Sequence, residues 1–93
     1  MNTEVNIEIQ RLLLEKGIDT PVRTTIADVV MILYRDYGIW IIVNIAIDNK
    51  WYFELFNLKD KRNAEILPED EYWYNSPIEV YEASILYTLK NLI

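Results

Sequence analysis

One stretch, residues 38–58 with the sequence GIWIIVNIAIDNKWYFELFNL, constrains the fold more than any other part of the chain. Residues 39–47 are almost all β-branched or aromatic, which suits a pleated and half-buried strand. Residues 51–58 have a similar character, and the polar residues 48–50 between them predict a tight turn. The stretch therefore predicts a β-hairpin with strands 39–47 and 51–58.

Side-chain alternation predicts the register of this hairpin. The odd positions from Ile39 to Ile47 are all aliphatic, whereas the even positions are mixed. A three-residue loop would pair Ile47 with Trp51 and turn the odd positions of both strands toward the core. A two-residue loop would instead place Glu54 among the isoleucines, where an unpartnered carboxylate is costly. We therefore expect the first register, in which Asn44 and Glu54 lie together on the other face.

Two helices are predicted near the ends of the chain. The first spans residues 4–16, with Thr3 as its N-cap and apolar residues at helical spacing on one face. The last spans residues 77–92, because Ser76 and Glu79 have the spacing of a capping box. The predicted core stripe of the last helix consists of Ile78, Tyr81, Ile85, Leu89 and Leu92.

The segment 26–36 has two competing interpretations. Thr25 and Asp28 have capping-box spacing, and the apolar residues that follow recur at the spacing of a helix. The run VVMILY is also rich in residues that favour strands, so a strand through residues 29–34 is the alternative. We expect a helix over 26–36.

The fold class that follows is α+β, in a single domain of residues 1–93. A two-stranded hairpin is only marginally stable alone, so residues 64–67 are expected to add a third strand. The resulting small antiparallel sheet would pack its odd face against the helices over 4–16, 26–36 and 77–92.

Composition excludes several kinds of site. The 93 residues include no Cys and no His, which removes thiolate chemistry, the commonest general base and the commonest transition-metal ligand. We therefore expect no catalytic residue, no metal, no cofactor and no enzymatic activity. The net charge of −6 disfavours nucleic-acid backbones, and the longest apolar run is too short to span a bilayer. The N-terminal residues do not resemble a signal peptide, so a cytoplasmic protein is expected.

Acidic residues are concentrated between positions 65 and 82, with no Lys or Arg among them. The simplest interpretation is a solvated surface that includes carboxylates at a helix start. The alternatives are a carboxylate metal site, whose usual Gly-containing loop is missing, and an acidic surface that imitates a nucleic-acid backbone to inhibit a host protein. The candidate acidic surface consists of Glu65, Glu69, Asp70, Glu71 and Glu79.

Two sets of apolar residues exceed what a monomer needs to bury. The even face of the hairpin carries large apolar side chains where a solvated face would be polar. The last helix also carries apolar residues on the side opposite its predicted stripe. Surplus apolar surface is typical of protein interfaces, so we expect self-association, with a dimer favoured, or binding to an unidentified protein. The candidate interface residues are Trp40, Ile42, Tyr52, Phe56, Val80, Ala83 and Tyr87.

Two weaker hypotheses concern individual side chains. Trp51, Tyr52 and Trp73 could bind a small molecule, because exposed aromatic rings stack on sugars and bases. Glu54 and Glu82 could form an acid–base pair, although nothing in the sequence brings these two carboxylates together.

The C-terminal segment resembles a known group of proteins. The run Tyr72-Trp73-Tyr74-Asn75-Ser76-Pro77 is followed by Glu79-Val80-Tyr81-Glu82-Ala83 and by Leu86, Leu89 and Leu92-Ile93. This pattern looks like the tail of small uncharacterised proteins of phages and mobile elements in gut bacteria, in which a Ser-started helix follows an aromatic hairpin. The resemblance carries no catalytic motif, and it implies a cytosolic accessory protein of phage or prophage origin.

Overall fold

Three helices and a small antiparallel sheet make up the part of the chain that the computed structural model describes, which is residues 3–45, 47–59, 65–66 and 74–93. The helices and strands follow the order α1, α2, β1, β2, β3, α3, and the sheet order is β1-β2-β3. The α+β class predicted from the sequence is confirmed. The elements are α1 (Ile7–Glu15), α2 (Ile26–Tyr37), β1 (Ile39–Ile45), β2 (Trp51–Asn57), β3 (Glu65–Ile66) and α3 (Pro77–Asn91).

A complete capping box fixes the start of α2. The Thr25 hydroxyl accepts a hydrogen bond from the Asp28 N–H at 3.2 Å, and the Asp28 carboxylate accepts one from the Thr25 N–H at 3.0 Å. These bonds satisfy N–H groups for which the first turn of a helix has no partner. Gly38 ends the helix in the left-handed conformation, with φ of 67°. The helical interpretation of 26–36 is therefore confirmed, and the alternative strand is wrong.

The first helix begins later than predicted. Its N-cap is Asn6 and not Thr3, and the Asn6 side-chain oxygen accepts a hydrogen bond from the Ile9 N–H at 2.9 Å. The residues before Asn6 are held in a different way, since the Val5 N–H donates to the Thr24 carbonyl at 3.0 Å. The predicted start was wrong because these first residues form a bridge to the segment before α2, a long-range contact with no local sequence signal.

The hairpin has the predicted faces but a different register. Trp51 pairs with Ile45 and not with Ile47, so residues 46–50 connect the two strands. Asp48 and Asn49, both within the predicted loop over 48–50, have positive φ angles of 66° and 57°. Both registers pair odd positions with odd positions, and for this reason the assignment of side chains to faces is unaffected.

The odd face of the hairpin forms one wall of the hydrophobic core. Ile39 and Ile41 of β1 and Phe53 and Leu55 of β2 are all buried there. Helix α2 contacts β1, α3 contacts β1 and β2, and α1 contacts α3. The core cluster consists of Val5, Ile9, Leu13, Ile18, Ile26, Val29, Ile32, Leu33, Ile39, Ile41, Phe53, Leu55, Val80, Ile85 and Leu89.

The third strand and the last helix lie close to their predicted positions. Strand β3 pairs with β2 through Leu55–Ile66, within the predicted range 64–67, whose first and last residues lie outside the described part of the chain. Helix α3 begins after Ser76, whose hydroxyl accepts from the Glu79 N–H at 3.2 Å. The Glu79 carboxylate accepts from the Asn75 N–H at 3.0 Å, so it does not close a capping box on Ser76.

Candidate interaction surface

The face of the hairpin turned away from the core carries the large side chains predicted there. We call it the outer face; it consists of the even positions of β1 and β2. Since odd positions face the core, strand alternation places the even positions on the opposite side of the sheet. The cross-strand pairs of the outer face are Trp40–Phe56, Ile42–Glu54 and Asn44–Tyr52.

Trp40 is the most exposed of the predicted interface residues, with 38% of its surface accessible. Its ring packs edge-on against Tyr34 of α2, with ring centroids 5.1 Å apart and planes at 70°. Tyr34 is itself exposed, and it joins Trp40 to make an aromatic pair at the margin of the outer face. The sequence reasoning missed Tyr34, although its position off the apolar stripe of α2 was a usable signal.

The rest of the outer face is half-buried rather than packed into the core. Ile42, Tyr52 and Phe56 each retain partial exposure. Among the described residues, these three do not belong to the set that packs against the buried core, whereas Val43 and Trp51 of the same strands do. The structure therefore brings together the four candidate interface residues of the hairpin on a surface that the core does not use.

The prediction of a free surface on the last helix was wrong at Val80, and the other two candidate residues there, Ala83 and Tyr87, are half-buried. Val80 is fully buried, and Ala83 and Tyr87 are partly buried against the core. The Tyr87 ring lies beside the core residue Phe53, with ring centroids 6.4 Å apart. By contrast, Ile78 of the predicted core stripe is 40% exposed. Ile85 and Leu89 of the same stripe are fully buried, so the predicted stripe is largely correct and the buried side of α3 extends beyond it to Val80.

Two buried hydroxyl residues explain why the buried side of α3 is wider than predicted. Ser84 and Thr88 lie in the middle of the buried side and are fully buried. Each donates to a carbonyl of its own helix: Ser84 to Tyr81 and Thr88 to Ser84, both at 2.8 Å. Because these bonds satisfy the hydroxyls, burial costs little, but the pattern of apolar residues no longer marks the inner face.

The acidic candidates are only partly described by the structure. Glu79 is exposed at the start of α3, where its carboxylate accepts the Asn75 hydrogen bond. Glu65 lies in β3, opposite Phe56. Glu69, Asp70 and Glu71 lie outside the described residues, as does Trp73 of the proposed small-molecule site. The acidic surface and the aromatic small-molecule site remain predictions.

The structure offers no support for an acid–base pair of Glu54 and Glu82. Glu54 is on the outer face, whereas Glu82 is on α3, which packs against the opposite face of the sheet. The Glu82 carboxylate accepts a hydrogen bond from the Asn6 side chain at 2.7 Å. The sheet thus separates the two carboxylates, and Glu82 links α3 to the start of α1.

Two general searches cover the described part of the chain. Within residues 3–45, 47–59, 65–66 and 74–93, no three or more acidic side chains are grouped in a way that could hold a metal ion. In the same ranges, every helix is too short or too polar to cross a membrane. Comparisons of the chain with protein-family models, with curated proteins and with solved structures found no match.

Proposed function

We propose that this protein is a non-enzymatic interaction module that self-associates through the outer face of its hairpin. The observation that supports the proposal is the exposed aromatic and aliphatic surface around Trp40, on the face of the sheet turned away from the core. Exposed apolar patches of this kind commonly mark protein interfaces, and Trp, Tyr and Phe are enriched in them. The proposal also places the protein in the cytoplasm, as an accessory protein of phage or mobile-element origin.

The outer face is suited to a contact between two identical copies. Its pair Trp40–Phe56 supplies large apolar surface, and the Asn44 side chain on the same face is a polar group that can bond at a rim. A second copy would present the same residues, so the contact would bury apolar surface on both copies at once. Such a contact would bury the part of Trp40 that is exposed in the single chain.

A pair of lysine substitutions tests this proposal with matched charge changes. Trp40→Lys puts a charge on the outer face, whereas Leu14→Lys adds the same charge on α1, where Leu14 is 79% exposed. We expect the Trp40→Lys protein to sediment as a smaller species than the unaltered protein at equal concentration, because a buried unpaired charge opposes association. The Leu14→Lys protein should sediment like the unaltered one.

Circular dichroism and thermal melting provide the folding control for both variants. Loss of the Tyr34–Trp40 ring contact should cost about 0.5–1.5 kcal/mol, which leaves the chain folded. Identical sedimentation of the unaltered protein and the Trp40→Lys variant would contradict a contact through the outer face.

A further inference from the structure

Strand β1 lies at the edge of the sheet, and its hydrogen-bonding pattern can be derived. The Leu58 N–H donates to the Gly38 carbonyl at 2.7 Å, which makes these two opposed residues a hydrogen-bonded pair. In an antiparallel ladder, hydrogen-bonded pairs alternate with non-hydrogen-bonded pairs. The even residues of β1 therefore bond to β2, and the odd residues direct their N–H and C=O groups away from it.

The other end of the hairpin gives the same result independently. Trp51 and Tyr74 exchange reciprocal backbone hydrogen bonds, both of 2.8 Å, so the backbone groups of Trp51 point away from β1. Ile45, which is opposite Trp51, must then be in a non-hydrogen-bonded pair. The N–H and C=O groups of Ile45, and by alternation those of Val43, point away from β2, to the side of β1 on which no strand pairs within the described part of the chain.

The open part of this edge is its C-terminal half. The Ile41 side chain is part of the core and only 4% exposed, whereas the Ile45 side chain is 54% exposed. Edge strands usually avoid pairing by means of charged residues, proline or bulges. The sequence of β1, IWIIVNI, has no charged residue and no proline, and its pairing with β2 is continuous.

We propose that the edge segment Val43–Ile45 pairs antiparallel with the same segment of a second copy, around a two-fold axis at Asn44. Val43 of each copy would exchange backbone hydrogen bonds with Ile45 of the other, and the two sheets would become continuous. This contact runs along the edge of the sheet and is separate from the proposed contact through the outer face, so it goes beyond that function.

A second copy fits this edge for two reasons. The two-fold axis places the exposed Ile45 side chain beside Val43 of the other copy on the inner face, so apolar surface covers apolar surface. Each chain carries a net charge of −6, but the paired segments carry no charge, and the seam itself brings no like charges together. The Asn44 side chains would meet on the outer face and could hydrogen-bond to each other.

Amide hydrogen exchange at low and high protein concentration tests the edge contact directly. The amides of Val43 and Ile45 should exchange about tenfold or more slowly at high concentration, because they gain partners only in the assembly. The amides of Ile42 and Asn44 are the internal controls, since they already bond to β2 in each copy and should slow much less at high concentration than those of Val43 and Ile45.

Two substitutions at Ile45 separate the backbone donor from the side chain. Ile45→Pro removes an N–H that β2 does not use, whereas Ile45→Thr keeps this N–H on a residue that favours strands. Both variants should be folded and show a cooperative thermal unfolding transition. The concentration dependence of Val43 exchange should disappear in Ile45→Pro and persist in Ile45→Thr.

The outcomes distinguish this inference from the proposed function. If the protein associates while Val43 and Ile45 exchange at the same rate at every concentration, the edge contact is wrong and the outer-face contact is unaffected. If Ile45→Pro retains the concentration dependence of Val43 exchange, the edge contact is also wrong. If the protein stays monomeric throughout, both the edge contact and the proposed self-association are wrong.

Discussion

At the scale of single residues, Gly38 joins α2 to β1 in a left-handed conformation, with the Lys59 side chain lying against it. Its φ is +67°, which favours glycine, and an added Cβ would lie 2.6 Å from Cγ of Lys59. The Lys59 ammonium group donates to the Asp36 carbonyl at 3.0 Å, so the Lys59 side chain is held across the turn. This turn sets the position of β1 immediately after the helix.

Gly38→Ala should destabilise the protein more than Gly17→Ala does. Gly17 has nearly the same φ, +68°, but an added Cβ there meets no atom within 4 Å. Each substitution should cost about 1–2 kcal/mol for the left-handed backbone, and only Gly38→Ala adds the clash with Lys59. Denaturant unfolding measures both. Adding Lys59→Ala to Gly38→Ala should recover the difference; equal losses in the two single variants would contradict this account.

Residues whose role depends on close neighbours in the chain were the most predictable ones. Thr25 and Ser76 act at helix starts through groups three residues away, and both were identified from the sequence. Asn6 was not, because its role as N-cap depends on the pairing of Val5 with Thr24. Long-range pairing changed the start of a helix that local spacing placed earlier.

At the scale of elements, the orientation of α3 has a clear energetic test. Val80→Ala should lower the free energy of unfolding by about 1–3 kcal/mol, because Val80 is fully buried and the smaller side chain leaves a cavity in the core. Ile78→Ala, on the same helix at a residue that is 40% exposed, should change it by less than about 0.5 kcal/mol. Chemical denaturation of both variants measures the difference. A larger loss for Ile78→Ala would contradict the burial of Val80 and the exposure of Ile78.

The contact between α1 and α3 includes an ion pair at the surface. The Lys90 ammonium group lies 2.8 Å from the Glu8 carboxylate. This hydrogen bond and the charge of Lys90 lower the pKa of Glu8, and Arg11 adds a smaller effect in the same direction. Because the pKa is lower in the folded state, the pair stabilises the fold above the unfolded pKa of Glu8. That contribution is lost as the pH falls through the folded pKa.

Removal of the positive partner should raise the pKa of Glu8 toward its ordinary value. We expect a larger rise in Lys90→Gln than in Arg11→Gln, because Lys90 supplies both the hydrogen bond and the main charge. Carboxyl resonances followed by NMR through an acid titration give the pKa in each variant. A pKa of Glu8 that does not change in Lys90→Gln would show that the ion pair does not form in solution.

At the scale of the whole molecule, the charge of the chain determines how salt should act on self-association. Two copies with net charge −6 repel each other, and the proposed contacts are largely apolar. Raising the ionic strength from about 0.01 M to about 0.1 M shortens the screening length from about 30 Å to about 10 Å. Sedimentation should therefore show stronger association at the higher salt concentration.

The same salt series separates self-association from the alternative function of an acidic inhibitor. A complex between an acidic surface and a basic target should weaken as salt rises, because screening reduces the attraction. If self-association itself weakened with salt, attraction between opposite charges and not apolar contact would hold the copies together.

The sequence predicted the layers of the molecule better than its free surfaces. The alternation of β1 and β2 was strong enough to define the inner face of the sheet even though the predicted register was wrong. The full width of the buried side of α3 could not be predicted, because two of its residues, Ser84 and Thr88, are polar. The outer face of the hairpin was located correctly because large apolar residues at even positions stand out against the expected polar pattern.

The most direct test of the central claim, that the outer face joins copies of the chain, is sedimentation of the unaltered protein over a dilution series. The claim predicts that the weight-average mass rises with concentration from that of one chain to that of a defined oligomer. A mass equal to one chain at every concentration would contradict it.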